Sequence, residues 1–184
     1  MKITNKSMSP LFHKLLVPKL LVVTLVGFQL AACSTSQPKE EVQVTEQKKA
    51  EIEVMAEKMG MSVETVQAFQ DALAELKQPA PDYLKAEELL LKVVAAEPDF
   101  AAAHYNLGVL YSNMNRYAEA VEHIEKAREI TPGELSHTVA LAQAYAVTEQ
   151  FEKAQNLLEE VIARQPTNLT AKNNLAVLAI KAGD

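Results

Sequence analysis

Residues 117–132 read YAEAVEHIEKAREITP, and two similar stretches lie 34 residues before and 34 residues after them. The matching positions hold, in order, an aromatic residue, an alanine, a branched aliphatic residue, a smaller apolar residue and a proline. They are Tyr83, Tyr117 and Phe151; Ala86, Ala120 and Ala154; Leu90, Ile124 and Leu158; Val93, Ala127 and Val161; and Pro98, Pro132 and Pro166. Five columns at one fixed period indicate a structural unit that is repeated along the chain.

A leucine followed by a small residue recurs in the other half of each unit, at Leu73-Ala74, Leu107-Gly108, Leu141-Ala142 and Leu175-Ala176. Small residues allow two antiparallel helices to approach closely. The proline column ends the second helix of each pair, because proline lacks an N–H and clashes with the preceding turn. Strand-like runs are missing after the first thirty residues, so we predict an all-α fold.

This pattern resembles the tetratricopeptide repeat. The resemblance implies a domain over residues 63–184, with units at about 67–100, 101–134 and 135–168 and a half unit at 169–184. Such units stack into a right-handed superhelix with a concave face. Where the family has an aromatic residue near the start of the first helix, this chain has His104, Thr138 and Lys172.

In the family, ligands lie along the concave face, which the first helix of each unit lines. Carried over by repeat position, the predicted binding residues are Tyr105, Asn106, Val109, Ser112 and Asn113, then Val139, Gln143 and Ala146, then Asn173, Asn174, Val177 and Lys181. Amide groups can bond a peptide backbone while valine and tyrosine bury its side chains, which favours an extended peptide or a partner helix. The Lys-plus-Asn clamp that some family members use for a C-terminal carboxylate is not reproduced.

Residues 1–33 have the order of a secretory signal: a basic start, an apolar stretch at 20–30, and Ala31-Ala32-Cys33. The apolar stretch is shorter than the roughly 20 residues that cross a bilayer. Leu30 to Cys33 resembles the bacterial lipobox, which implies a cleaved signal peptide (1–32) and a lipid on Cys33. By the same resemblance, the following Ser34 implies the periplasmic face of the outer membrane. An uncleaved signal anchor and an ordinary buried cysteine are the alternatives.

Residues 33–45 are polar and contain Pro38, so we predict a flexible tether there. A helix is predicted over 46–62, because Ile52, Met55, Ala56 and Met59 lie at helical spacing and Gly60 can end the helix. Ser62 is then predicted to cap the next helix, with Met61 packing against Val66.

Charge and composition exclude several classes of function. Lys2, Lys6, Lys14 and Lys19 are the only charged residues before Lys39, so removing them from the net charge of −6 leaves −10 from Cys33 onward. A nucleic-acid-binding protein needs clustered lysine and arginine instead. No catalytic residues or cofactor are expected, since the chain has no phosphate-binding loop, nucleophile with its base, or metal cluster. Neither His123 nor His137 has a second ligand at metal-binding spacing, so no metal site is expected.

The family resemblance implies a membrane-anchored scaffold that binds envelope proteins or their peptide segments. One expected role is the assembly of a surface machine such as a pilus or secretion complex, and the alternative is regulation of cell-wall (peptidoglycan) enzymes. Residues 175–180 are all apolar, although the outer face of a terminal helix is usually polar. We therefore expect this helix to be covered by a second copy as a homodimer, by the partner, or by the N-terminal helix.

Overall fold

The computed structural model describes residues 39–183, which form eight α-helices and, within that range, no β-strand. The helices are α1 (Lys39–Met59), α2 (Val63–Leu76), α3 (Tyr83–Ala96), α4 (Ala101–Asn113), α5 (Tyr117–Ile130), α6 (Leu135–Val147), α7 (Phe151–Arg164) and α8 (Leu169–Ala182). The predicted all-α class is confirmed. None of these helices is both long and apolar enough to cross a membrane. The predicted signal peptide and the lipid site at Cys33 lie outside the described residues.

The helices pack as three pairs, α2 with α3, α4 with α5, and α6 with α7. We call the first helix of each pair helix A and the second helix B. Each helix B also packs against helix A of the next pair, so a continuous core runs along the stack. The last helix, α8, follows α7 as a helix A.

The repeat columns form this core. Leu90, Ile124 and Leu158, the branched aliphatic column of helix B, are almost completely buried, as are the three alanines one turn earlier. Leu90 packs with Leu107 of α4, and Ile124 packs with Leu141 of α6. Each of these side chains thus joins its own repeat to the next one.

Helix A of the first unit does not have the register that the 34-residue spacing predicts. The turn between helices A and B is three residues long in the second and third units (114–116 and 148–150) but six in the first (77–82). Because of the longer turn, α2 is shifted relative to α4 and α6. Ala72 is the fully buried residue that packs with Ala86 of α3, whereas Ala74, which the 34-residue spacing aligned with Gly108, is exposed.

Helix α1 begins at Lys39 and not at residue 46, so residues 39–45 of the predicted tether are helical. The predicted apolar face is half correct, because Ile52 and Ala56 are buried whereas Met55 and Met59 are each more than a third exposed.

The junction between α1 and α2 has the predicted features. Gly60 adopts a left-handed φ of 68°, and the Ser62 side chain accepts a hydrogen bond from the Thr65 backbone N–H at 3.0 Å. Met61 packs against the cluster that contains Val66. Helix α1 therefore lies on α2, at the opposite end of the stack from α8, and does not cover α8 of its own chain.

Candidate binding grooves

An apolar groove of about 150 Å³ lies between helices α6 and α8. Five of the predicted binding residues line it together: Gln143, Ala146, Asn174, Val177 and Lys181. The rest of the wall comes from Ala142, Val147, Leu158 and Leu178. We call this the α6–α8 groove. It exists because α6 and α8 are successive A helices on the same side of α7, and the small residues Ala142 and Ala146 leave space between them.

Polar groups in the α6–α8 groove are few, and one of them has an unmet hydrogen bond. The Asn174 side-chain nitrogen is buried and has no hydrogen-bond partner among the described residues. A buried N–H without an acceptor costs free energy of about 1–3 kcal/mol. Lys181 lies at the exposed end of the same helix, and Val177 is 52% exposed. The groove therefore offers an apolar wall and one positive charge, and an amide N–H that lacks an acceptor lies just beneath its surface.

A second, more polar groove of about 430 Å³ lies where α6 meets the turn before α8. Tyr105, Val139 and Gln143 line it, so Gln143 belongs to both grooves. The Tyr105 ring stacks on His137 with their centroids 4.8 Å apart. Burial raises the pKa of the Tyr105 phenol, and Glu134 raises it further, so Tyr105 stays a neutral hydrogen-bonding group.

The remaining predicted residues line neither groove. The side-chain amide of Asn106 donates to the Ala102 carbonyl at 2.7 Å, and the Ser112 hydroxyl donates to the Gly108 carbonyl at 3.0 Å. These groups are satisfied within α4 itself. Asn113 and Asn173 are exposed and Val109 is half-buried. The structure thus gathers the predicted surface at the C-terminal end of the stack.

A larger cleft of about 630 Å³ opens between α5 and α7, and several of its polar groups already bond to each other or to neighbouring residues. Arg128 donates to Glu160 at 2.7 Å, and the Tyr145 hydroxyl donates to Glu125. Burial and that contact with Glu125 raise the pKa of Tyr145 to about 12. Arg128 Nε is buried and has no hydrogen-bond partner among the described residues. The ion pair between Arg128 and Glu160 nevertheless joins α5 to α7, so the main role of these groups is to hold the two B helices together.

Sequence reasoning missed a histidine pair on the other face of α4. His104 Nδ1 lies 3.0 Å from His123 Nδ1, and His104 Nε2 lies 3.0 Å from the Pro98 carbonyl. A carbonyl only accepts, so Nε2 of neutral His104 carries the proton, its Nδ1 accepts, and His123 Nδ1 donates. The spacing of these residues in the sequence does not indicate the contact, because the two histidines come from different helices. No third metal ligand joins them within residues 39–183.

Acid should weaken the fold through His123 and His137. Burial lowers the pKa of both imidazoles, and His104 lowers that of His123 further. The unfolded chain then binds more protons than the folded chain below about pH 6.5, the ordinary pKa of histidine. Stability is therefore fully present above this pH and is lost as the pH falls.

We expect the thermal midpoint to fall by several degrees between about pH 7.5 and about pH 5. Most of this range lies above the ordinary pKa values of Asp and Glu, so histidines account for much of the effect. The matched comparison is His123→Gln, which should flatten the dependence whatever its effect on the midpoint itself. An equally steep dependence in the variant would contradict this assignment.

Comparison with known proteins identifies the repeat. Two sequence models described as tetratricopeptide repeat match residues 101–133 and residues 139–184. The chain contains tetratricopeptide repeats. The family resemblance is thereby confirmed for these residues, and tetratricopeptide repeats imply a protein-interaction scaffold. A search of curated protein sequences found no match to the chain.

Several solved structures share the fold, and one of them is described as a tetratricopeptide-repeat domain. The first such domain of Spaghetti (RPAP3), bound to an HSP90 peptide, has a TM-score of 0.61 at 18% identity, over 66% of this chain and 94% of that one. MamA RS-1, as a double mutant, has a TM-score of 0.62 at 19% identity, over 79% of each chain. The O-GlcNAc transferase of Thermobaculum terrenum, as a K341M mutant, has 0.56 at 23% identity, over 65% of this chain but only 23% of the enzyme.

Proposed function

We propose that this protein is an adaptor that binds a segment of a partner protein in the α6–α8 groove. The observation that carries the proposal is the unpartnered Asn174 side-chain nitrogen beneath a mainly apolar groove. A peptide carbonyl would satisfy this donor once the Asn174 side chain turns toward the groove, while a neighbouring aliphatic side chain fills the space beside Ala146 and Val177. The Spaghetti domain in complex with an HSP90 peptide supports a peptide as the class of ligand, by analogy of fold.

The positive charge of Lys181 indicates which kind of peptide the groove would bind. Lys181 lies at one end of the groove and makes no salt bridge within residues 39–183. An acidic group on the ligand, placed next to its apolar anchor, would pair with this lysine. We therefore propose a partner segment that carries one aliphatic side chain and one carboxylate. The carboxylate would lie about one turn from the aliphatic residue if the segment is helical, or about two residues from it if the segment is extended.

We also propose that the adaptor works in a bacterial cell envelope, attached to the periplasmic face of the outer membrane through Cys33. The support is the sequence pattern of residues 20–33 and the serine that follows. In this position the adaptor would bring envelope proteins together during assembly of a surface machine such as a pilus or secretion complex. Labelled palmitate should enter the native protein and not Cys33→Ser, and equal labelling of both would remove the anchor from the proposal.

The groove is tested with Val177→Glu, because a carboxylate at its centre repels an acidic ligand and disrupts the apolar contact. The control is Val63→Glu on α2, a valine of similar exposure far from the groove. In cross-linked capture of the full-length protein from membranes, Val177→Glu should recover at least about tenfold less of the principal partner. Recovery of the same partner by native protein and both variants would show that binding occurs elsewhere.

A further inference from the structure

Helix α8 exposes the face that the other A helices use to bind helix B. In α4, a Cβ added at Gly108 would lie 2.3 Å from Cγ1 of Ile124, so α5 lies directly on this position. The equivalent Ala142 of α6 is completely buried. The next residue in the column, Ala176, is exposed, as is Ala179, which corresponds to the buried Tyr145. Helix α8 thus presents an uncovered docking face for a helix B.

Helix α1 has the register of a helix B. Its buried residues Ile52 and Ala56 precede Ala86 and Leu90 of α3 by 34 residues, the repeat period. The turn from α1 to α2 has three residues, and the turns that join each later helix B to the next helix A have four. Helix α1 also packs on α2 as α3 packs on α4. It is therefore a helix B for which residues 39–183 supply no helix A of the same repeat.

The uncovered face of α1 is apolar at the position where a helix A would lie. Met59 belongs to the column of Val93, Ala127 and Val161, which are all completely buried, yet Met59 is 37% exposed. Met55 is exposed to a similar extent but borders the contact with α2, because the Gln70 side-chain amide donates to its sulfur at 3.3 Å. Methionine side chains adapt to a contacting surface at little cost, which suits a helix-helix contact formed on association.

Charge distinguishes between the surfaces that could cover α8. The α8 sequence LTAKNNLAVLAIKA contains two lysines and no acidic residue, whereas α1 contains six glutamates and four lysines. Two α8 helices packed on each other would bring lysines together. Packing of α8 on α1 instead brings a basic helix onto an acidic one.

We propose that α1 of a second copy packs on α8 and completes a tetratricopeptide repeat between the two chains. Ala176 would then take the place of Gly108 or Ala142, and Met59 would fill the space beside it. The contact joins two different surfaces, so each dimer keeps one free α1 and one free α8, and association continues head to tail. The α6–α8 groove is not needed for this contact, so the adaptor proposal and this one can fail separately.

The test measures self-association of the full-length chain by sedimentation in density-matched detergent under reducing conditions. Two variants each block one end: Ala176→Glu on α8 and Met59→Glu on α1. The control is Ala163→Glu, which introduces the same negative charge at an exposed position on α7. Circular dichroism establishes that each variant keeps the helical fold.

We expect the native chain and Ala163→Glu to grow beyond dimers between about 1 and about 200 µM, the range for a small interface. Each end variant alone should associate at least about tenfold more weakly. An equimolar mixture of Ala176→Glu and Met59→Glu should form dimers and nothing larger, because one intact α1 and one intact α8 remain in each pair.

Three outcomes would overturn the proposal. Native chains that stay monomeric at the highest concentration would show that another protein, or nothing, covers α8. Dimers that Ala176→Glu abolishes and Met59→Glu leaves intact would mean that two α8 helices pack together. If an end variant fails to fold, a photo-crosslinking residue replaces Met59 in an otherwise native chain, and cross-links that do not reach α8 of another copy would overturn the proposal.

Discussion

Replacing Gly108 by alanine should destabilise the domain, although alanine is the better helix former. The new Cβ would lie 2.3 Å from Ile124 Cγ1 and 3.1 Å from the Ala120 carbonyl oxygen, in a part of the core where Ile124 is 1% exposed. Alanine gains about 1 kcal/mol of helix propensity. Overpacking of a close helix contact costs more, so we expect a net loss of about 1–3 kcal/mol in the free energy of unfolding.

The third unit suggests how this loss can be repaired. There the equivalent pair is Ala142 and Leu158, both fully buried in one core cluster. Leucine carries a single γ-carbon on Cβ, whereas isoleucine carries two carbons there, and Cγ1 is the one that clashes. Adding Ile124→Leu to Gly108→Ala should therefore recover at least half of the lost stability.

Urea unfolding of the two single variants and the double variant measures this coupling. Gly133→Ala is the control, because a Cβ there meets nothing within 4 Å, and it should change stability by less than about 0.5 kcal/mol. A Gly108→Ala variant as stable as the native protein would show that α4 and α5 can separate slightly at no cost.

The sequence could predict helix B more reliably than helix A. The helices and turns between successive B helices have the same lengths, so the alanine and leucine columns of helix B keep the 34-residue period in all three units. Helix A of the first unit is free to shift, and the six-residue turn at 77–82 moves Ala72 into the place expected for Ala74. Turn length changes the register without changing the composition of either helix.

The candidate site could be predicted only in part, because the sequence does not show which side chains are already hydrogen-bonded. Family positions identified the A helices, and five of the predicted residues do line the α6–α8 groove. Whether a side chain is free to bind depends on its own hydrogen bonds, and Asn106 and Ser112 are bonded within α4. The contact between His104 and His123 crosses from one helix to another, so periodicity along either helix does not reveal it.

Leu158→Ala should cost about 2–5 kcal/mol, as usual for a buried leucine, and should loosen α8 before the rest of the domain. Leu158 is 1% exposed and packs in one cluster with Leu141 of α6 and Ala171 and Leu178 of α8. Helix α8 contacts only α6 and α7 extensively, so it has no second interface to hold it. In a stack whose units interact with nearest neighbours, the loss should be local.

Hydrogen exchange separates a local loss from a general one. In Leu158→Ala the amides of α8 should exchange faster by a larger factor than those of α4 and α5, and the α6–α8 groove should lose its partner. Leu90→Ala removes an equally buried leucine from the cluster that joins α2, α3 and α4, so it should leave the protection of α8 nearly unchanged. If both variants accelerate exchange uniformly along the chain, the domain unfolds as one cooperative unit, and the groove cannot open independently of the remaining repeats.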